Sequence, residues 1–586
     1  MKQIKEGSNM RPLEQKEIKY NNQISKMISF VMENQILDRQ MWKRFVDVFR
    51  DKADDEDKYW RGEYFGKAMR GACLVYQFNK SKEIYEVLRD AVIDLLSTQD
   101  ELGRFSTYTV ENEFQSWDIW CRKYVLVGLL HFYDICNDPI LKENVLNAAS
   151  KHVDYLIERI GDKPGQMRIT ETSTWWLGVN SSSILEPVTD LYKKTNNKKY
   201  LDFASYIVKE GGILDGNLLD EVKKYRHRPN EYPERKAYET MSFFEGIFEY
   251  SKIVNDEELK NISIQFFEDV NKYEISIIGN AGTSEECFSD TVINQLTKQE
   301  KFMQETCVVV TWMRILAKLF LDTGDIKYYE RFIKAGLNSF YGSINYNFQK
   351  GWAYFAKKEL EPLPFDSYSP LLYDRRGIST GGHNFFKDGT SYGCCACIGG
   401  ASAGLLANLS VTEDDKYLYI NEYFNGEITN DHYHIEISGD YFELGKVKLK
   451  IQSDKEIKIR IPEWSKKTLL NGKEINETGY YLLKDKNIDI NISFDLDINV
   501  HHLKDYVALT YGDITLGFDN ETNPNIDFQS IEYSKINNIH ISSNKLGDFV
   551  TLTSTFNNQE LIIKDYASCG KHWEDRSLIL TAWIKE

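Results

Sequence analysis

From about residue 20 to residue 410, apolar residues recur three and four positions apart, the spacing of one buried helix face. The pattern predicts helices over 24–37, 66–78, 81–99, 116–136, 145–160, 182–195, 199–211, 239–254, 306–324 and 326–344. Short links carrying Asn, Asp, Gly or Lys join them, as in NNKK (196–199) and DTGD (322–325). The phrase LYKKTNNKKYLDFASYI returns in outline as LFLDTGDIKYYERFIKA, a long helix, a tight turn and a Lys-Tyr start. About a dozen helices are enough for six hairpins. Such repeats can stack as an open solenoid, but the long connecting loops favour a closed (α/α)6 barrel. Beyond about 415 the period changes to two. Segments 417–424, 433–439, 446–452, 456–461, 488–496, 505–512 and 548–556 alternate like half-buried strands. The expected organisation is a barrel over 1–414 and one or two β-sandwich modules over 415–586, with the boundary in VTEDDK (411–416).

With 586 residues the chain exceeds what a single core supports, and 42% hydrophobic and 13% aromatic content can fill large ones. A net charge of −17 with no basic stripe argues against a nucleic-acid partner. No apolar leader opens the sequence and no window reaches the ~20 apolar residues of a membrane helix. The expectation is a soluble, cytoplasmic protein without a membrane partner, its oligomeric state open to a homo-oligomer.

Nine cysteines, an odd number, do not suggest a disulfide framework. Cys73, Cys121, Cys136 and Cys569 read as small buried hydrophobes. Cys394, Cys395 and Cys397 fall within four residues of SYGCCACIGG (391–400), a clustering that needs a chemical reason. Zinc takes thiolates with an occasional carboxylate in tetrahedral geometry, and Glu305, Cys307, Cys394 and Cys395 offer such a set. Ordinary structural zinc motifs space their cysteines further apart, so the adjacent pair is the more specific signal.

ETC (305–307) ahead of an apolar helix resembles the Glu-x-Cys motif of glycoside hydrolase family 127, and Cys394–Cys395 resembles that family's paired cysteines. IIGNAGTSEECF (277–288) is similar to its Gly-rich segment ending in the acid/base glutamate, and YYERFIKAGLNSFYGSIN (328–345) to the helix that follows. IRIPEWSKKTLLNGKEI (460–475) and DYVALTYGDITLGF (505–518) match the order of its C-terminal sheets. The resemblance implies a retaining β-L-arabinofuranosidase-like enzyme acting on a small oligosaccharide or glycoside. It further implies Zn2+ on Glu305, Cys307, Cys394 and Cys395, with Cys394 as nucleophile and Glu286 as acid/base. The chain departs from the family in three places. Ala-Cys-Ile follows Cys395 where the family has Pro-Pro-Asn, so Cys397 competes as ligand or nucleophile. Glu285 adjoins Glu286 and competes with it. Histidines that hold the sugar hydroxyls are missing from 117–124, 175–183 and 234–239.

Asp118, Trp120, Lys123, Trp176 and Asn180 are candidate substrate contacts, since sugar sites combine aromatic faces with fixed polar groups. A helix-core stripe is the competing reading for Trp120 and Tyr124, four apart. His227 and His383 read as loop histidines. Two other functions remain open on the residues: a six-hairpin carbohydrate enzyme using two carboxylates with structural cysteines, and a zinc-stabilised sugar-binding protein without turnover.

Overall fold

The computed structural model describes residues 9–14, 17–20, 22–298, 303–348, 364–377 and 382–586; residues 1–8 of the expected barrel domain lie outside them. Six helices form a closed ring in which each packs on the next: Glu63–Asn79, Asp118–Ile135, Leu185–Thr195, Ala237–Val254, Thr306–Thr323 and Cys394–Leu409, the last returning to the first. Outside them lie Lys82–Leu96, Pro139–Arg159, Lys198–Lys209, Glu257–Tyr273 and Ile326–Ala335, each packed on the inner helix it follows, with Gln23–Val31 covering the sixth. This is the (α/α)6 barrel. Most inner helices are buried all round, as expected for a ring enclosed by a second ring.

The turn signals have a simple cause. In three hairpins a left-handed C-cap, Asn196, Asn255 or Gly324, is followed at once by an N-cap, Asn197, Asp256 or Asp325. The first ends one helix, and the side chain of the second accepts the orphan N–H groups of the next. Each such link reverses the chain, so the inner helices run the same way and present their N-termini to one rim.

Ring closure depends on missing side chains. A Cβ on Gly71 would sit 2.7 Å from the Gly400–Ala401 backbone, and one on Gly404 would sit 2.5 Å from Leu74 Cβ. The first and sixth inner helices therefore touch almost backbone to backbone. The barrel axis carries buried charge: Arg314 pairs with Glu245, and Lys318 Nζ lies 2.8 Å from Glu245 and 3.1 Å from Glu186.

The β region holds two modules. A five-stranded and a seven-stranded sheet enclose a core that includes Leu418, Ile435, Leu449, Ile457 and Ile492. An eight-stranded sheet over Ile498–Lys585 shares its core with the barrel. The 1–414 boundary needs correction at both ends. Arg11–Pro12 pairs with Val411–Glu413 and Glu17–Tyr20 with Gly426–Thr429, so both N-terminal strands and Val411–Glu413 belong to the sandwich. Two- to four-residue strands rich in charge carry too little alternation to be read as strands. Among the described residues no helix is long and apolar enough to cross a membrane.

The barrel and both modules meet at Arg460, which is fully buried. Its guanidinium donates to Glu330 of an outer helix (2.8 Å), to Glu422 (2.8 Å) and to Tyr441 Oη (3.0 Å) in the sandwich, and lies 3.3 Å from Asp513 of the third unit. Three carboxylates face one guanidinium. Burial pushes Glu330 up to about 8 and Glu422 up to about 7, against the pull of Arg460. Arg460→Met strands the carboxylates and is expected to cost about 3–5 kcal/mol, read as a fall in thermal midpoint. Carboxyl groups raised in the folded state stabilise fully below the unfolded glutamate value of about 4.3, and that contribution is lost as pH rises through about 7 to 8. Glu330→Gln does not titrate, so its midpoint should gain on the wild type as pH increases from about 5 to 9. A constant difference across that range would contradict the assignment.

Candidate active site

Two helix starts meet at the rim. The strand Ser391–Gly393 pairs with His383–Phe385 and ends in extended Gly393, so the next helix begins at Cys394 with Cys394 and Cys395 in its first turn. Opposite, Glu305 is the N-cap of Thr306–Thr323 and Cys307 lies in that first turn. First-turn N–H groups have no intrahelical acceptor, and the helix dipole favours negative charge there. Cys307 Sγ lies 3.8 Å from Cys394 Sγ and 3.5 Å from Cys395 Sγ, Cys394 and Cys395 are 3.9 Å apart, and Cys395 Sγ is 3.5 Å from Glu305 Oε1. The four donor atoms lie within 4.8 Å of one another and all four residues are buried, a set that could hold a metal ion. Glu305 Oε2 has no hydrogen-bond partner among the described residues. Hydrogen bonds from Cys307 and Cys395 hold the Cys394 thiol well below its ordinary range, with burial opposing and Lys67 and Lys236 assisting. Burial pushes Cys307 and Cys395 up.

Cys397 lies outside this cluster. It is buried and lines a small cavity with Ile36, Met41, Trp42 and Ala72. The cluster therefore takes the adjacent pair.

Glu286 sits in the loop before this helix. Glu285 and Glu286 both have positive φ, +53° and +62°, and the tight turn leaves Glu285 exposed and Glu286 partly buried. The Glu286 carboxylate accepts from Lys236 Nζ and from Tyr368 Oη. Tyr368 also pairs through its backbone with Glu305, so one residue spans from Glu286 to the cysteine cluster. Burial works to lower the Lys236 ammonium, but Glu286, Glu239 and Glu305 hold it well above the usual lysine value. Burial pushes Glu239 up to about 7, with Lys236 opposing. Beneath the cluster, Lys67 Nζ lies 2.9 Å from Glu63 Oε1 and 3.8 Å from Cys307 Sγ, and burial pushes Glu63 up to about 7 against the pull of Lys67.

The five expected substrate contacts divide. Asp118 is buried on Arg122 (2.9 Å), Ser106 Oγ and the Phe114 N–H, where it fixes the preceding loop. Asn180 is buried, donating to Ser116 O and Ser173 Oγ. Lys123 is buried and donates to Ser183 Oγ at 3.1 Å, and burial lowers it to about 7. Trp120 is buried with its indole N–H on Glu63, supporting the floor. All four are buried, Asp118 and Asn180 on the adjoining loops and Trp120 and Lys123 within the barrel. Trp176 alone is partly exposed, its ring 4.8 Å from Lys236 Nζ.

His227 is 2.6 Å from Glu221. His383 instead lies beside the cluster: burial lowers its pKa while Cys394 raises it, and its Nε2 is buried without a partner among the described residues. Nothing in the sequence marks Tyr368, Glu63, Lys67 or Lys236.

The comparison with curated proteins finds no match. Among solved structures the fold resembles a GH127 β-arabinofuranosidase (TM-score 0.70, 17% identity, covering 99% of this chain and 98% of that one). It also resembles a GH127 β-L-arabinofuranosidase from Geobacillus stearothermophilus T6 (0.69, 16%, 97% and 100%) and a glycoside hydrolase (0.65, 14%, 93% and 95%). A family profile described as "Beta-L-arabinofuranosidase, GH127 catalytic domain" matches residues 15–368, more than half of the sequence. With Glu305 and Cys307 falling inside that match, the chain belongs to glycoside hydrolase family 127.

Proposed function

We propose that this glycoside hydrolase removes a terminal β-L-arabinofuranosyl residue from a short oligosaccharide with retention of configuration, using Cys394 as nucleophile and Glu286 as acid/base. The observation that carries the reading is Tyr368, which ties the Glu286 carboxylate to the backbone of Glu305 and so sets a proton donor against a cysteine cluster within one site. Retaining glycosidases need that pair on the two sides of the bond they break.

The donor set fits zinc. A tetrahedral site with Zn–S bonds of about 2.3 Å has sulfur–sulfur edges of about 3.8 Å, against 3.5, 3.8 and 3.9 Å here. The orphaned oxygen of Glu305 supplies a fourth donor. Glu305, Cys307, Cys394 and Cys395 would hold the ion, which when bound keeps the thiols ionised at neutral pH.

In the first step the Cys394 sulfur attacks the anomeric carbon as the glycosidic C–O bond breaks, and Glu286 gives its proton to the leaving oxygen. The sugar is then a thioglycoside on Cys394. In the second step Glu286 takes a proton from water, whose oxygen attacks the anomeric carbon and releases Cys394 as thiolate. Lys236 and Tyr368 hold the Glu286 carboxyl on its line of action. His383, beside Cys394 and with an Nε2 that has no partner among the described residues, would bind a sugar hydroxyl.

Protein purified without added metal should contain about one zinc per chain. Cys307→Ser should lose it and Cys397→Ser keep it, by elemental analysis. Full activity in a metal-free preparation would overturn the site.

The catalytic roles are tested with 4-nitrophenyl β-L-arabinofuranoside and a β-L-arabinofuranosyl disaccharide. Cys394→Ser should abolish turnover of both. Glu286→Gln should retain zinc and lose on the order of 10²–10⁴-fold on the disaccharide, with a smaller loss in the first step on the nitrophenyl glycoside, whose leaving group needs little protonation. Peptide mass spectrometry should find the trapped sugar on Cys394. An adduct on Cys397 or on a carboxylate would refute the assignment.

A further inference from the structure

Residues 172–178 form a loop held in an unfavourable backbone shape. Trp176 and Leu177 have φ of +52° and +49°, a region that bulky side chains rarely enter. Strain of this kind persists only where the surroundings enforce it. A second strained loop enforces it, with Phe114 and Ser116 also at positive φ. Trp175 donates its indole N–H to Ser116 Oγ (3.1 Å), and Asn180 ties Ser116 O to Ser173 Oγ. Leu214 N–H closes on Leu177 O at 2.7 Å.

This bracing keeps an aromatic pair in view rather than burying it. Trp175 is 49% exposed. Trp176 lies 6.2 Å from it with the rings at 40°, its indole nitrogen buried and without a hydrogen-bond partner among the described residues. Lys236, which pairs with Glu286, stands over the Trp176 ring. The pair is thus continuous with the acid/base side of the site, where the leaving oxygen must come. Trp60 lies beside the nucleophile: its indole N–H reaches Gly382 O, and Gly382 packs against Cys394 Sγ.

Resting on the glycosidase reading above, we infer that Trp175 and Trp176 form the subsite for the sugar ring attached to the leaving oxygen. Its C–H face would stack on the exposed indole of Trp175. The ligand is a single sugar unit on the aglycone side, and the enzyme is accordingly tuned to glycosides whose leaving group is itself a sugar.

Methyl β-L-arabinofuranoside and a β-L-arabinofuranosyl disaccharide share the glycone and differ in this subsite alone. Trp175→Ala should lower kcat/KM on the disaccharide by about 10–100-fold, mainly through KM, with a loss at least tenfold smaller on the methyl glycoside. Trp175→Phe retains a ring and should recover most of the disaccharide activity. Equal losses on the two glycosides would mean that Trp175 only braces the loop, and no loss on the disaccharide would mean that nothing stacks there. Either result overturns the subsite. Failure of the wild-type enzyme to cleave either glycoside would instead sink the arabinofuranosidase reading, and the subsite with it.

Discussion

The near backbone-to-backbone contact between helices Glu63–Asn79 and Cys394–Leu409 is the constraint on which the site rests. Cys394 and Cys395 are far along the chain from Cys307, and only the sixth helix seated against both the first and the fifth brings their sulfurs together. A side chain at Gly71 or Gly404 would displace that helix by more than the spread of sulfur–sulfur separations. The demand for small residues at this contact and the demand for ligands at the helix start fall on one short segment, which explains its composition.

Closure also decides the electrostatics. Inner helices that run one way place their positive ends around a single rim, where the structure gathers thiols and carboxyl groups. Lys67 and Lys236 add full charges to that field. Anionic groups that would be costly in an apolar interior are therefore met by fixed dipoles and paired ammonium groups. Along the axis Arg314 and Lys318 pair with Glu186 and Glu245, which makes the middle of the barrel polar.

Helices with one wet face were legible because their buried stripe repeats. Glu257–Tyr273 is not among the predicted helices, although the count of six hairpins implies it, and Arg39–Asp51 lies outside both the prediction and the six hairpins. Cys394–Leu409 escaped for a physical reason: buried all round and rich in Gly and Ala, it has no polar face against which a period could show. The metal-ligand candidates were legible because few reasons exist for a thiol pair beside a Glu-x-Cys segment. Tyr368, Glu63 and Lys67 were not, since their positions follow from packing. Asp118 and Asn180 misled because a polar residue at a helix start looks the same from sequence whether it faces a ligand or a neighbouring loop.

The pairing of the first strands with the sandwich sets an order of events during synthesis. Arg11 and Glu413 are 402 residues apart, and at about 5–20 residues per second the N-terminal segment waits roughly 20–80 s before its partner strand leaves the ribosome. Over that interval Glu17–Tyr20 is an edge without a sheet, the form in which strands recruit other chains. The same charged residues that hid it from a hydrophobic pattern make it a poor seed for such recruitment. Its polarity suits a segment that must stay solvated until its partner strand arrives.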